Sequence, residues 1–473
     1  MEASTSDHFK QNAAAALDDA TLQKALRNAA PRFVAKRGLA RDRLPEFDAI
    51  RDAARDLKDH VLAHLDIYLE AYEAKVRETG GHVHWAATPQ EARQIILKLA
   101  RDRGAKKVTK GKSMISEEID LNQALADAGI EPIETDLGEY IIQLRHERPS
   151  HIIAPAVHLT RQQIEDDFRK AHTHLDPARS LALVPEIVNE ARQILRQQYL
   201  EADIGITGAN FLIAETGTSI IVTNEGNGDL TQILPKTHIV IASIEKIVPT
   251  LEDAATLLRV LARSATGQEF STYTTLSTGP RQQGDPDGPQ EYHVVLLDNG
   301  RSDMLGTEFA DMIRCIRCGA CMNHCPVYNA VGGHAYGWVY PGPMGAVLTP
   351  ALIGVEKSAQ LPNASTFCGR CEEVCPMRIP LPKMMRHWRE REFEKHLTPT
   401  IQRSGLKLWG WLAQRPKLYH LAMRLGRLGL SVMSRGRGRM AWLPLASGWT
   451  KGRDFPAPQA GTFHEQWKAR QNG

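Results

Sequence analysis

The chain of 473 residues is 42% apolar and 24% charged, enough to bury substantial cores shared among two or three domains. Its formal net charge of +3 is small for this length, so no general affinity for nucleic acid follows. No uninterrupted apolar stretch of about eighteen residues occurs, which argues against a membrane-spanning helix.

Residues 1–30 are polar and alanine-rich, with acids at Glu2, Asp7, Asp18 and Asp19, and show neither the basic start nor the apolar core of a secretory signal. Apolar residues then recur at helical spacing (Leu17, Leu22, Leu26, later Leu57, Val61, Leu65, Leu69), so residues 1–70 read as a helical lead-in. The interspersed arginines and lysines are expected on a solvated helix face.

Residues 71–300 alternate amphipathic helices, such as Glu91 to Arg103 and Leu251 to Arg263, with short β-branched runs. Candidate strands are Lys107 to Thr109, His151 to Ala154, Phe211 to Glu215, Ser219 to Thr223, His238 to Ser243 and Tyr292 to Leu297. This alternation predicts an α/β layer domain with a largely parallel sheet. Ser116, ahead of Glu117 and Glu118, reads as a helix N-cap. The run from Gly104 to Ser113 resembles a phosphate loop, but its glycines are spaced too widely, and no nucleotide signature is found.

The glycine-rich run Ile204 to Gly228 places Thr207, Asn210, Glu215, Thr216, Thr218, Asn224 and Glu225 at strand ends. Sheets of this class build ligand crevices at such ends, although glycine and asparagine are also the ordinary turn formers, and the turn reading is preferred. His158 reads as a satisfied loop histidine, and no catalytic residue stands out.

All seven cysteines lie between residues 315 and 375. The first run, C-I-R-C-G-A-C-M-N-H-C-P, contains Cys315, Cys318, Cys321 and Cys325; the second, C-G-R-C-E-E-V-C-P, contains Cys368, Cys371 and Cys375. The first is the spacing by which two-cluster ferredoxins hold iron-sulfur cubanes, the fourth cysteine of each run reaching to the other cluster. One cluster is therefore expected on Cys315, Cys318, Cys321 and Cys375, the other on Cys325, Cys368 and Cys371. Ser365 stands where the second run's first cysteine would be, which leaves a four-iron cluster with a serine or water ligand, or a three-iron cluster, as alternatives. An odd cysteine count in a long chain fits neither a disulfide framework nor paired zinc quartets, and the thiols' need for reduction makes the cytosol the expected compartment.

Between the runs, residues 332–350 hold five glycines and three prolines and are expected to form a tight irregular loop, with His324 and His334 as surface or core histidines rather than ligands. Residues 301–395 thus read as a mainly helical ferredoxin-type domain. Residues 396–473 form a basic extension in which Arg403, Lys407, Arg415, Lys417, Arg424 and Arg427 alternate with Trp409, Trp411 and Trp442. It suits docking on a partner or on anionic lipid, or packing its tryptophans on the protein itself. Phe455 to Trp467 is expected to run extended.

Four stretches, Glu134 to Leu144, Pro149 to His158, Ile204 to Gly228 and Gly332 to Pro350, occur in this order around the cysteine runs, and together they resemble the lactate-utilization iron-sulfur protein B family over roughly residues 65–460. The resemblance implies an LUD domain, similar to ribose-phosphate isomerase and CoA-transferase folds, and two [4Fe-4S] clusters. It implies work beside an A subunit rich in cysteine motifs and a C subunit with a related LUD domain, in oxidising L-lactate to pyruvate. The leading expectation is thus an electron-transfer subunit; an LUD domain acting on a small carboxylate or acyl substrate, and a redox-sensing scaffold, are the alternatives. The electron acceptor is not legible.

Overall fold

A computed structural model of the chain describes residues 4–444, 446–450 and 452–471. Four helices lead in: α1 (Phe9–Asp18), α2 (Ala20–Asp42), α3 (Phe47–Ala63) and α4 (Leu65–Glu78). Asp19 starts α2 by accepting the N–H groups of Thr21 and Leu22, and Val61, Leu65, Leu69, Tyr72 and Val76 bury one stripe of α3 and α4. The expectation of a solvated basic face needs correction, because Arg37, Arg51 and Lys58 are buried. Each satisfies backbone carbonyls that would otherwise be orphaned: Arg37 donates to Val374 at 2.9 Å, Arg51 to Glu373 at 2.7 Å and Cys375 at 2.6 Å, and Lys58 to Glu245 and Ile247.

Ten strands follow: β1 (His82–Ala86), β2 (Lys107–Lys110), β3 (Glu131–Glu134), β4 (Ile204–Gly208), β5 (Phe211–Ile213), β6 (Thr218–Thr223), β7 (Thr237–Ser243), β8 (Ile247–Val248), β9 (Tyr273–Ser277) and β10 (Glu291–Leu297). Six form an all-parallel sheet in the order β1-β10-β7-β4-β2-β3. Period-two alternation divides β7 between two cores: Ile239 and Ile241 pack with α5 (Pro89–Asp102), Val240 and Ala242 with α4. A mixed sheet, β8-β5-β6-β9, lies against the helix Leu251–Ala265 through Phe211, Ile213 and Ile220.

Three local expectations fail for identifiable reasons. His151 to Ala154 is a turn, because the His151 ring nitrogen accepts the N–H groups of Ile153 at 3.0 Å and Ala154 at 3.1 Å, replacing a ladder. The cap before Glu117 is Ser113, whose hydroxyl accepts the Ser116 N–H at 3.2 Å. Residues Gly342–Ile353 form a helix buried over its first nine residues rather than an irregular loop. Its glycine is required: a Cβ on Gly345 would lie 1.6 Å from the Tyr340 carbonyl oxygen. Strands β1, β3, β4, β8 and β9 escape the sequence reading: histidines, glycines and threonines dilute the apolar pattern of β1, β4 and β9, glutamates and a proline that of β3, and β8 is only two residues long.

The chain divides into two compact units, Met1–Glu392 and Phe393–Gly473. The second contains the helices Thr400–Ala413, Pro416–Ser434 and Phe463–Gln471 and a two-residue antiparallel pairing of Arg439–Met440 with Phe455–Pro456. Phe455 to Trp467 is therefore not extended throughout; Thr462 and Glu465 exchange side-chain to backbone hydrogen bonds and start a helix. Among the described residues no helix is long and apolar enough to cross a membrane.

Candidate iron-sulfur centre

The two cysteine runs fold alike. Each passes through a residue of positive φ (Arg317 at 59°, Phe367 at 53°), a cysteine, a left-handed glycine (Gly319 at 73°, Gly369 at 79°) and one helical turn. That path wraps successive thiols and backbone N–H groups around a common point. Ser365 occupies in the second run the place of Cys315 in the first.

The thiols gather in two cavities, each drawing on both runs. Cys315, Cys318, Cys321 and Cys375 line the first, walled by Ile152, Met312, Ile316, Met344, Met377, Ile379 and Leu381. Cys325, Cys368 and Cys371 line the second, together with Ser365, Thr366, His324 and Phe367. All seven cysteines are free thiols. Among the described residues, the donor atoms of Glu147, His158 and His334 are the one group of three or more potential ligands within 4.8 Å of one another. The thiols are spaced more widely than a single tetrahedral ion allows, as a multi-iron cluster requires.

The electrostatics suit a cationic group. Burial pushes the Cys318 and Cys371 thiols up to about 12 and Cys375 to about 11, and raises Cys321 well beyond the ordinary range. Thiols so placed become stable thiolates only against bound metal. Backbone N–H groups already point at the sulfurs: Ala320 at Cys318, Ile379 and Met377 at Cys375, Tyr328 at Cys325 over 3.5 Å. Cys368 is exposed, and the Arg370 N–H and Thr366 hydroxyl lower its pKa. The first cavity is thus lined mainly by apolar side chains, whereas the second carries the exposed Cys368 on its wall. The Ser365 hydroxyl accepts the Phe367 N–H at 3.1 Å while lining the second cavity.

The remaining sequence candidates scatter. Of the polar residues in the glycine-rich run, Asn210, Asn224 and Glu225 line a cavity of about 230 Å³ at the carboxyl ends of the parallel strands, whereas Thr207, Glu215, Thr216 and Thr218 do not. Thr207 hydrogen-bonds buried His238 at 2.8 Å, and Thr218 hydrogen-bonds Thr278 at 2.6 Å. His158 bonds Glu147 at 2.8 Å, His334 the Arg148 carbonyl at 2.7 Å, and His324 the Ala320 carbonyl at 2.9 Å. Sequence reasoning missed Lys112, Lys246 and Arg317, which line the 230 Å³ cavity. Only their positions after β2 and β7 and between Cys315 and Cys318 could have pointed to them.

Comparison with known proteins agrees with this geometry. The LUD domain family model matches residues 69–297, the 4Fe-4S dicluster domain residues 311–379 and the lactate utilisation protein B C-terminal family residues 378–472. The cofactors are accordingly two [4Fe-4S] clusters. The chain is 43% identical over 472 residues to lactate utilization protein B of Shouchella clausii, covering 98% of this chain and 97% of that protein. It is 42% identical to the uncharacterized electron transport protein YkgF of Escherichia coli and to lactate utilization protein B of Bacillus velezensis, each comparison covering 98% of this chain and 97% of the relative. Two thiol cavities built from crossed cysteine runs, an LUD sheet ahead of them and similarity along nearly the whole length together make this chain a member of the lactate utilization protein B family.

Proposed function

We propose that the chain is the iron-sulfur electron-transfer subunit of a complex that oxidises L-lactate to pyruvate. The observation that carries this reading is the crossed gathering of thiols, in which Cys375 joins Cys315, Cys318 and Cys321 while Cys325 joins Cys368 and Cys371. We assign one cluster to each set, with Ser365 as candidate fourth ligand of the second. When bound, such clusters accept and release single electrons at nearby potentials. The chain's own residues set the conditions: apolar Ile152, Ile316 and Met344 exclude water from the first cavity, and N–H groups stabilise the reduced charge. Arg37 and Arg51 place buried positive charge on the Cys375 loop. The exposed Cys368 in the second set suits exchange with a partner.

The partners in this reading are the A and C subunits that accompany B proteins, and the exposed Leu408, Trp409 and Trp411 beside Lys407 and Lys417 suit contact with a partner or with the inner membrane surface. The test is anaerobic: the three subunits are assembled and L-lactate is added. Reduction of this chain's clusters, read by electron paramagnetic resonance, is expected; clusters that stay oxidised while pyruvate forms would exclude the relay.

A further inference from the structure

The 230 Å³ cavity at the carboxyl ends of the parallel strands is no part of the thiol chemistry, yet it shares a wall with it. Arg317 and Ile152 line both this cavity and the one gathering Cys315, Cys318, Cys321 and Cys375. The cavity wall is partly polar, with Ser113, Asn210, Asn224, Asn227 and Gln268 among its lining residues. Its volume admits an acid of a few carbons.

Charge is distributed unevenly along it. At the end towards the thiols stand Lys246 and Arg317, each within electrostatic reach of Cys315. Elsewhere Glu225 faces Asp136 and Lys112. Lys112 is occupied, donating to the Ile153 carbonyl at 2.6 Å. Lys246 is not: the residue is 6% exposed, and among the described residues it makes no hydrogen bond or ion pair. Arg317 spends one nitrogen on Glu245 at 3.3 Å and stacks on Tyr340 at 5.1 Å, while its Nε–H is buried without a partner. Lys246 thus has no hydrogen-bonding partner among the described residues, and Arg317, although paired with Glu245, keeps one buried donor unused, so an anion entering the cavity would find donors on this wall.

We propose that this cavity binds a small carboxylic acid, its carboxylate held by Lys246 and Arg317 against the wall shared with the first thiol cavity. The asparagines and Glu225 then offer partners for a hydroxyl or keto oxygen on the neighbouring carbon. Occupation places a negative charge beside the first cluster, which makes that cluster harder to reduce. The proposal concerns binding alone and stands whether or not the electron-relay reading does.

The probes are L-lactate and pyruvate, titrated calorimetrically into anaerobically purified, cluster-loaded full chain, with inorganic phosphate as comparison. Saturable binding of at least one acid is expected, with Lys246→Met weakening it by about tenfold or more at unchanged iron content and circular dichroism. Ala265→Leu, which fills the cavity from the helix Leu251–Ala265 and leaves both cations in the sequence, should block binding independently. The reduced first cluster's magnetic resonance spectrum should shift when the acid is added to wild type and not to Ala265→Leu. Absence of binding by both acids, tighter binding of phosphate than of either, or equal affinity in wild type and Ala265→Leu overturns the proposal. Failure of lactate to reduce the clusters in the assembled complex would instead strike only the relay.

Discussion

The guanidinium of Arg301 meets the Glu118 carboxylate in a two-pronged pair, Nη1 to Oε1 at 2.9 Å and Nη2 to Oε2 at 2.6 Å, with both side chains excluded from solvent. Glu118 follows β2, Arg301 follows β10, and Glu245, 3.1 Å from Arg301, follows β7, so the pair ties three strand ends together. Tyr340, from between the cysteine runs, adds a hydrogen bond to Glu118 at 2.6 Å. Burial opposes ionisation of Glu245, yet Arg301 and Arg317 hold its carboxyl down at about 2. Removing one partner strands a buried charge. Glu118→Gln is expected to cost about 3 to 5 kcal/mol, read as a lowered denaturation midpoint, while Tyr340→Phe costs about 1 to 3 kcal/mol.

Crossed gathering makes the cysteines separable. Cys375→Ala is expected to abolish the first cluster and leave the second, although Cys375 belongs to the second run; Cys325→Ala does the reverse. Iron analysis of each anaerobically purified variant should fall from about eight to about four per chain, and the surviving spectrum should differ between the two. A Cys375→Ala spectrum that matches that of Cys368→Ala rather than that of Cys318→Ala would mean uncrossed ligation.

Ser365 lines the second cavity in the place of Cys315 in the first. With serine as ligand, Ser365→Ala should lose about one iron and give an oxidised three-iron signal, and Ser365→Cys should restore four irons at a lower potential. Identical spectra in all three proteins would assign the position to water.

His238 is fully buried, bonded to the Thr207 hydroxyl, and burial lowers its pKa to about 3. Its unfolded-state value is near 6.5, so between these values the unfolded chain binds the proton that the folded chain refuses. Stability is therefore lost as pH falls below about 6.5, by up to about 1.4 kcal/mol per unit from this residue. Denaturation midpoints of wild type and His238→Gln should converge as pH drops from 7 to 5. Parallel curves would place the acid sensitivity elsewhere.

In the second unit, Leu408, Trp409 and Trp411 are 66%, 60% and 49% exposed beside Lys407 and Lys417. Each basic residue near an anionic membrane contributes about 1 kcal/mol. Lys407→Glu with Lys417→Glu should abolish co-sedimentation with phosphatidylserine vesicles at low salt without affecting iron content. Retention of vesicle binding by the double variant would rule out these lysines as membrane contacts.

Trp388 shows how a local reading misleads. In sequence it stands among Arg386, Arg389 and Arg391, like the tryptophans of the basic extension that follows, but in the fold it stacks on Phe309 at 4.1 Å and donates to the Val347 carbonyl. The sequence by itself determined the cysteine chemistry, because cluster ligation depends on spacing along a short stretch. It likewise determined the alternation of helices with β-branched strands, since burial on both faces of a parallel sheet leaves that imprint. Tertiary structure alone decided what long-range partners decide. Arg37, Arg51 and Lys58 turn inward because carbonyls some 190 to 340 residues away need donors. Gly342–Ile353 becomes helical, despite its prolines, because Gly345 lets it lie against Tyr340. Lys112, Lys246 and Arg317 come to one cavity only when β2, β7 and the first cysteine run are folded together, and no periodicity in the chain records that meeting.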